Sequence, residues 1–304
     1  KYIRIDFTDL EKSNHILDGH IYLTTSAKLA MTGEIEGTHQ GGFFGVVGNI
    51  GYQNKNTFKG AEVFEAKFSG GLEIQPTVFV DDNSNVNQDN LQKYTPFNTI
   101  EITPEMSLYK PGIFIPFVKQ PFRKLLNPTT KVSLAYSHQR RPDYNRDVAK
   151  LSFGYTGSIS KKISHLLFPL DISYINIDKQ PYFESTLLAT KNPYLINTYQ
   201  NHLIFASKYS YVFNNQELNN QYKNYTYFLF SIEGSGNMLR LISEQTPYET
   251  NTTGGYEIFG VQYAQYLKPE IDVRKYLRMA KTFNKNDSWL IYRFFAGIGI
   301  PFRN

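Results

Sequence analysis

The sequence has no cysteine, which excludes disulfides, thiolate metal sites and cysteine nucleophiles together. Charge is also scarce. Asp, Glu, Lys and Arg make up 19% of the chain, against about 25% in an ordinary soluble domain. The net charge of +5 is spread out; no Lys/Arg cluster forms a nucleic-acid footprint. No apolar run reaches the roughly eighteen residues of a spanning helix. The longest, Phe294 to Phe302, is broken by glycines and a proline. Neither a G-x-S-x-G nor a G-x-x-x-x-G-K-S/T pattern occurs, so hydrolase and P-loop readings have no anchor. Tryptophan occurs once, whereas Tyr and Phe occur 23 times each. These two residue types favour strands and also populate the girdles of membrane barrels. A soluble aromatic-rich sandwich shares that composition.

The patterning goes further than the composition. From Gly41 to Gln75 the sequence reads as a hairpin of two long strands. Phe44, Val46, Gly48, Ile50 and Tyr52 fall on one face, and Phe64, Ala66, Phe68, Leu72 and Ile74 continue it after the polar turn Asn54-Lys55-Asn56-Thr57. Asn49, Gln53, Glu65, Lys67, Ser69 and Glu73 fall on the other. Alternation over about ten residues is the length that a tilted strand needs to cross a bilayer. Mean hydropathy of −0.41 fits, because half of each such strand faces water.

The same unit recurs along the chain. Lys1–Phe7 and His20–Thr24 are short strands lying outside any membrane, and Ala27–His39 is the first long one. Further strands are expected over Thr99–Tyr109, Lys131–His138, Val148–Ile159, His165–Ile177 (interrupted at Pro169), Leu203–Phe213, Tyr225–Glu233, Tyr263–Arg278 and Trp289–Phe302. Polar or proline-rich stretches at 76–97, 111–128 and 244–256 read as loops, and Pro181–Asn201 as an insertion with room for a short helix. The reading gives about eleven long strands, with short turns on one side and longer loops on the other. The fold class is all-β, a transmembrane antiparallel barrel.

Few residues carry candidate chemistry. His15, His20, His39, His138, His165 and His202 show no metal-ligand spacing. Asp81, Asn83, Asn85 and Asn87 alternate like a calcium loop, but Val86 replaces the required glycine and Gln92 the bidentate glutamate, so a solvated loop is expected. Arg140, Arg141 and Arg146 fit an anion site or a barrel rim beside charged lipid equally well. Ser137-His138 is an adjacent Ser/His pair, as is Ser164-His165, and neighbours on a strand point to opposite faces. The stretch Tyr263–Arg278 places Lys268, Glu270, Asp272, Arg274 and Arg278 on one face, and a water-filled lumen explains such a row of charges. Arg293, buried on the next strand, should pair with Glu270 or Asp272. No cofactor, metal or enzymatic reaction is indicated.

Several strings together resemble the BamA/TamA superfamily of outer-membrane protein assembly factors, in particular its TamA-like branch in the Bacteroidetes. They are LDGHIYLT (Leu17 to Thr24), the segment from Glu34 to Gln75, RRPDYNRDVAKLSFGY (Arg140 to Tyr155), SIEGSGNML (Ser231 to Leu239), YLKPEIDVRKYLRM and RFFAGIGIPF. The resemblance implies periplasmic POTRA domains followed by a barrel of about sixteen strands. It makes 1–25 the end of the last POTRA domain, in the periplasm, and 26–304 the N-terminal part of a barrel in a bacterial outer membrane. The family's Arg-Gly-Phe/Tyr loop has no counterpart, since the sequence contains no Arg-Gly pair. A fragment trimmed at its start and lacking its last strands, or a chain completed by further polypeptide, is therefore expected.

The implied partners are nascent outer-membrane proteins, outer-membrane lipid and periplasmic or lipoprotein subunits, with no nucleic acid. The implied site is the free edge of the first barrel strand, Lys28, Ala30, Thr32, Gly33, Glu34, Glu36, Gly37 and Thr38, accepting a client strand by β-augmentation. Gly33 and Gly37 either weaken that strand as a gate or relieve crowding where a barrel curves. Three other readings compete: a passive channel or transporter, a barrel lipase, and a soluble β-sandwich adhesin.

Overall fold

The computed structural model describes residues 3–9, 17–24, 27–40, 43–74, 97–115, 126–216, 224–237, 239, 257–258, 261–279 and 288–302. The Asp81-to-Asn87 loop and the loop at 244–256 lie outside the described residues. Two short strands, β1 (Ile3–Asp9) and β2 (Leu17–Leu23), pair only with each other. Among the described residues every other strand belongs to one large, open sheet.

Its long strands are β3 (Leu29–Gln40), β4 (Phe43–Asn54), β5 (Val63–Ile74), β6 (Thr99–Pro111), β7 (Leu126–Arg140) and β8 (Tyr144–Ser160). They continue as β9 (Ile163–Lys179), β10 (His202–Asn214), β11 (Tyr225–Ser235), β14 (Tyr266–Arg278) and β15 (Trp289–Gly297). Each pairs antiparallel with the next in that order, so eleven strands form one meander. Ten antiparallel steps leave β15 running in the same direction as β3. Three short strands extend the ladder. β12 (Glu257–Ile258) pairs with β13 (Val261–Tyr263), which lies parallel to the start of β10, and β16 (Ile300–Pro301) continues beside β14. The expected single strand over Tyr263–Arg278 is thus two, and the one over Trp289–Phe302 breaks after Gly297.

Register turns the local alternation into two continuous faces. Ile50 lies across from Phe68, Met106 from Leu134, Leu134 from Leu151, and Val273 from Phe294. On the reverse face Ser107 lies across from Ser133, Ser133 from Ser152, Ser152 from Asp171, and Ser210 from Ser231. Burial is inverted relative to a soluble domain. Among the described residues five hydrophobic side chains are buried, but eleven polar or charged ones are. Large apolar side chains such as Met31, Ile35, Ile50, Phe68, Leu134 and Phe294 stand exposed on the first face. A contiguous exposed apolar face of this extent marks a surface that meets lipid or protein rather than water.

The small apolar core sits at one end of the sheet. Between β9 and β10 the insertion forms helices α1 (Pro181–Ala189) and α2 (Pro193–Thr198). Proline opens each one, where its missing N–H costs nothing, and the Asn192 side chain caps α2 by accepting from Tyr194 N and Leu195 N. Phe183 and Leu187 pack on Tyr144, flanked by Ile177, Leu195, Ile196 and Tyr199. The Tyr182 hydroxyl donates to Asp143 at the β7–β8 turn. That anchorage draws Tyr144 into β8, so the gap between the expected strands Lys131–His138 and Val148–Ile159 contracts to 141–143. Burial pushes the Tyr199 phenol above its ordinary ionisation range, with Tyr144 adding to the shift.

Pro169 also behaves differently from the expectation. β9 does not stop there. It runs through with a register shift, because β8 and β10 hold it on both sides and only the unpaired position loses a ladder bond. The three longest connections, 75–98, 180–201 and 236–256, all leave the same end of the sheet. No described helix is long and apolar enough to cross a membrane, which says nothing about crossing by strands.

Candidate functional site: a free edge and a charged face

Among the described residues β3 has β4 on one side and no strand on the other. Its register with β4 sorts the candidate edge residues onto two faces. Ala30, Thr32, Glu34, Glu36 and Thr38 lie across from Gln53, Gly51, Asn49, Val47 and Gly45 on the polar face, with Lys28 just ahead of the strand. Gly33 and Gly37 lie across from Ile50 and Val46 on the apolar face. The set is therefore one edge rather than one surface.

The β3–β4 ladder brings two threonines close over glycines. A Cβ on Gly45 would come within 2.7 Å of Thr38 Oγ1, and one on Gly51 within 2.5 Å of Thr32 Oγ1. These glycines let the threonine hydroxyls nest on the neighbouring backbone, as only a residue without a side chain can. Gly33 and Gly37 are the opposite case, since a Cβ on either would meet nothing within 4 Å. Among the described residues nothing crowds them.

The polar face carries ion pairs both within a strand and between neighbouring strands. Asp272, whose side chain is only 5% exposed, accepts from Arg274 at 2.7 Å and from Arg293 at 2.9 Å. Of the two partners expected for Arg293, the structure selects Asp272. It is the carboxylate that is buried, while the Arg293 side chain is 57% exposed, contrary to the expected buried arginine. Lys268 and Glu270 form a separate pair at 2.8 Å. Lys268, Glu270, Asp272, Arg274 and Arg293 thus form two groups.

Other groups on this face were not singled out from sequence. Lys208 meets Glu233 at 3.3 Å, and Glu233 also accepts from the Tyr266 hydroxyl. Lys150 meets Asp171 at 3.3 Å, with Ser152 donating to the same carboxylate. Glu101 gathers Ser137 Oγ and Gln139 Nε2. Their signal is alternation, but only the register reveals which strands are neighbours. Ser137 and His138 do point to opposite faces: Ser137 donates to Glu101, while His138 Nδ1 shares Asp147 with the Tyr136 hydroxyl. That geometry gives no Ser/His nucleophile.

No model of a known protein family matches the chain, and no curated protein matches it. The functional reading therefore rests on geometry. Chemically, the arrangement offers backbone donors and acceptors on a free edge, an apolar surface on one side of it and carboxylates on the other.

Proposed function

We propose that this chain forms part of the wall of an outer-membrane β-barrel and acts in assembly, helping other barrel proteins to fold and insert. In this reading the apolar face meets lipid, the polar face lines a wet interior, and 1–25 belong to a periplasmic POTRA-type domain. The function needs no cofactor and no covalent step. Its partners are nascent outer-membrane proteins.

The observation that carries the reading is the β3 edge. A twelve-residue strand with an unpaired backbone edge is a ready template for another strand. The unpaired groups cannot remain bare in hydrocarbon, where each unsatisfied one costs several kcal/mol in order of magnitude. β3 and β15 run in the same direction, so antiparallel closure of a barrel takes an odd number of additional strands. A seam made that way can open, because β3 is pinned to β4 while its glycine positions leave its apolar face thinly covered.

The ion pairs across the polar face also favour a second reading, a passive channel with a charged lumen. Depleting the full-length protein in cells separates the two. An assembly factor predicts loss of folded, heat-modifiable outer-membrane proteins and build-up of their unfolded forms in the periplasm. Unchanged levels of folded barrels, with only solute uptake altered, would establish the channel instead.

A further inference from the structure

Glu34 and Glu36 stand apart from the rest of the polar face. The carboxylates of Glu65, Glu101, Glu105, Asp171, Glu233 and Asp272 each have a hydrogen-bond or ion partner. Among the described residues Glu34 and Glu36 have none, and both are exposed. Their neighbours across β4 are Asn49 and Val47, which carry no charge. Elsewhere on this face, among the described residues, three acids meet a cation on the next strand: Glu233 with Lys208, Asp171 with Lys150, and Asp272 with Arg293. Among the described residues no strand lies beyond Glu34 and Glu36.

The apolar face of the same edge leaves a matching gap. Gly33 and Gly37 flank Ile35, which is exposed, and nothing occupies the space above either glycine. On the polar face inside the sheet, a gap over a glycine is filled from the neighbouring strand: the Phe168 ring on β9 sits where a Cβ on Gly154 of β8 would be. An aromatic ring over a cross-strand glycine recovers apolar contact that glycine itself cannot supply.

Taken together, and resting on the strand-acceptor reading above, we infer that β3 selects client strands with the five-residue pattern aromatic, basic, aliphatic, basic, aromatic. The aromatics cover Gly37 and Gly33, the basic residues pair with Glu36 and Glu34, and the aliphatic residue packs beside Ile35. The pattern is the same read in either direction, so it holds for a parallel or an antiparallel partner. The occupant is a strand of another polypeptide, and its charge is fixed by the two carboxylates.

The competing role for Glu34 and Glu36 is to blunt the edge, since charges on an edge strand discourage pairing with any chain. The test uses the full-length protein in outer-membrane lipid nanodiscs and two peptides carrying a photo-crosslinker at the aliphatic position. They differ only in lysine or glutamate at the two basic positions. Opposite charges across a strand pair are favourable and like charges unfavourable, so the lysine peptide should crosslink to residues 28–38 about five- to tenfold more than the glutamate peptide. Glu34→Lys combined with Glu36→Lys should invert that preference. Gly33→Val with Gly37→Val should lower capture of the aromatic peptide but not of one with alanine at both ends.

Equal capture of both charged peptides at β3 overturns this inference and leaves the strand-acceptor reading standing. Failure of every peptide, including the terminal strand of a natural barrel protein, to crosslink at 28–38 overturns the acceptor reading and this inference with it.

Discussion

Replacing Ile50 with arginine, and separately Val47, probes the two faces at positions equally far from the middle of β4. Ile50 lies on the apolar face between Gly33 and Phe68 and is 59% exposed in the isolated sheet. Val47 lies on the polar face between Glu36 and Gly71. An arginine facing lipid near mid-bilayer costs about 2–4 kcal/mol. That is a loss of roughly 30- to 1000-fold in the folding equilibrium. Val47→Arg puts the cation beside Glu36, and Gly71 leaves room for the longer side chain. A cross-strand pair there returns about 0.2–1 kcal/mol. The expected result is strong destabilisation for Ile50→Arg and a change within about 0.5 kcal/mol, of either sign, for Val47→Arg. The assay is urea unfolding of the full-length protein in lipid vesicles, read by heat-modifiable gel mobility. A sheet that faces water on both sides predicts that both variants are mild, because Ile50 is already exposed. Two variants with matching midpoints would refute the two-face account.

Further predictions follow from the same geometry. Leu187→Ala should cost about 2–4 kcal/mol in docking of the helical insertion, read as faster hydrogen exchange over 181–201 with β3–β5 unchanged. Gly154→Ala places a methyl group against the Phe168 ring, and such overpacking costs about 1–3 kcal/mol; a Phe168→Ala background should remove most of that penalty in urea unfolding. Asp272→Ala leaves Arg274 and Arg293 facing each other without a carboxylate between them, lowering the unfolding midpoint; adding Arg293→Gln should recover part of it. The Tyr199 phenol is held above its usual range, so the neutral form favours the docked helices below the ordinary tyrosine pKa, and this contribution is lost as pH rises through the shifted value. An ultraviolet absorbance titration against Tyr199→Phe should show one late-ionising tyrosine, and loss of insertion protection only in that alkaline range.

Much of the sheet was legible because a period of two is a local property. Phe44, Ile50, Phe68 and Ile74 announce their shared face without reference to any partner, and the register bears this out. Pairing across strands is not local. Sequence narrowed the partner of Arg293 to Glu270 or Asp272, but only the position of Asp272 between Arg274 and Arg293 decides it. The Lys208–Glu233 and Lys150–Asp171 pairs went unread because each half looks like an ordinary solvated charge on its own strand. Tertiary packing also moved boundaries. Tyr144 reads as part of a turn, yet contact with Phe183 and Tyr199 keeps it in β8. Pro169 reads as a break, yet flanking strands reduce it to a bulge. The isolation of Glu34 and Glu36 lay beyond sequence altogether, since an absent partner is visible only once the neighbours are known.

The central claim is that β3 accepts strands from other proteins, and disulfide crosslinking in cells tests it most directly. These 304 residues hold no cysteine, so a single cysteine placed from Lys28 to Thr38 in the full-length protein is the one thiol of this segment. Barrel clients would carry one cysteine in their terminal strand. Crosslinks to clients at alternating β3 positions are the predicted result. Crosslinks confined to the protein's own polypeptide, at every position and with every client, would contradict it.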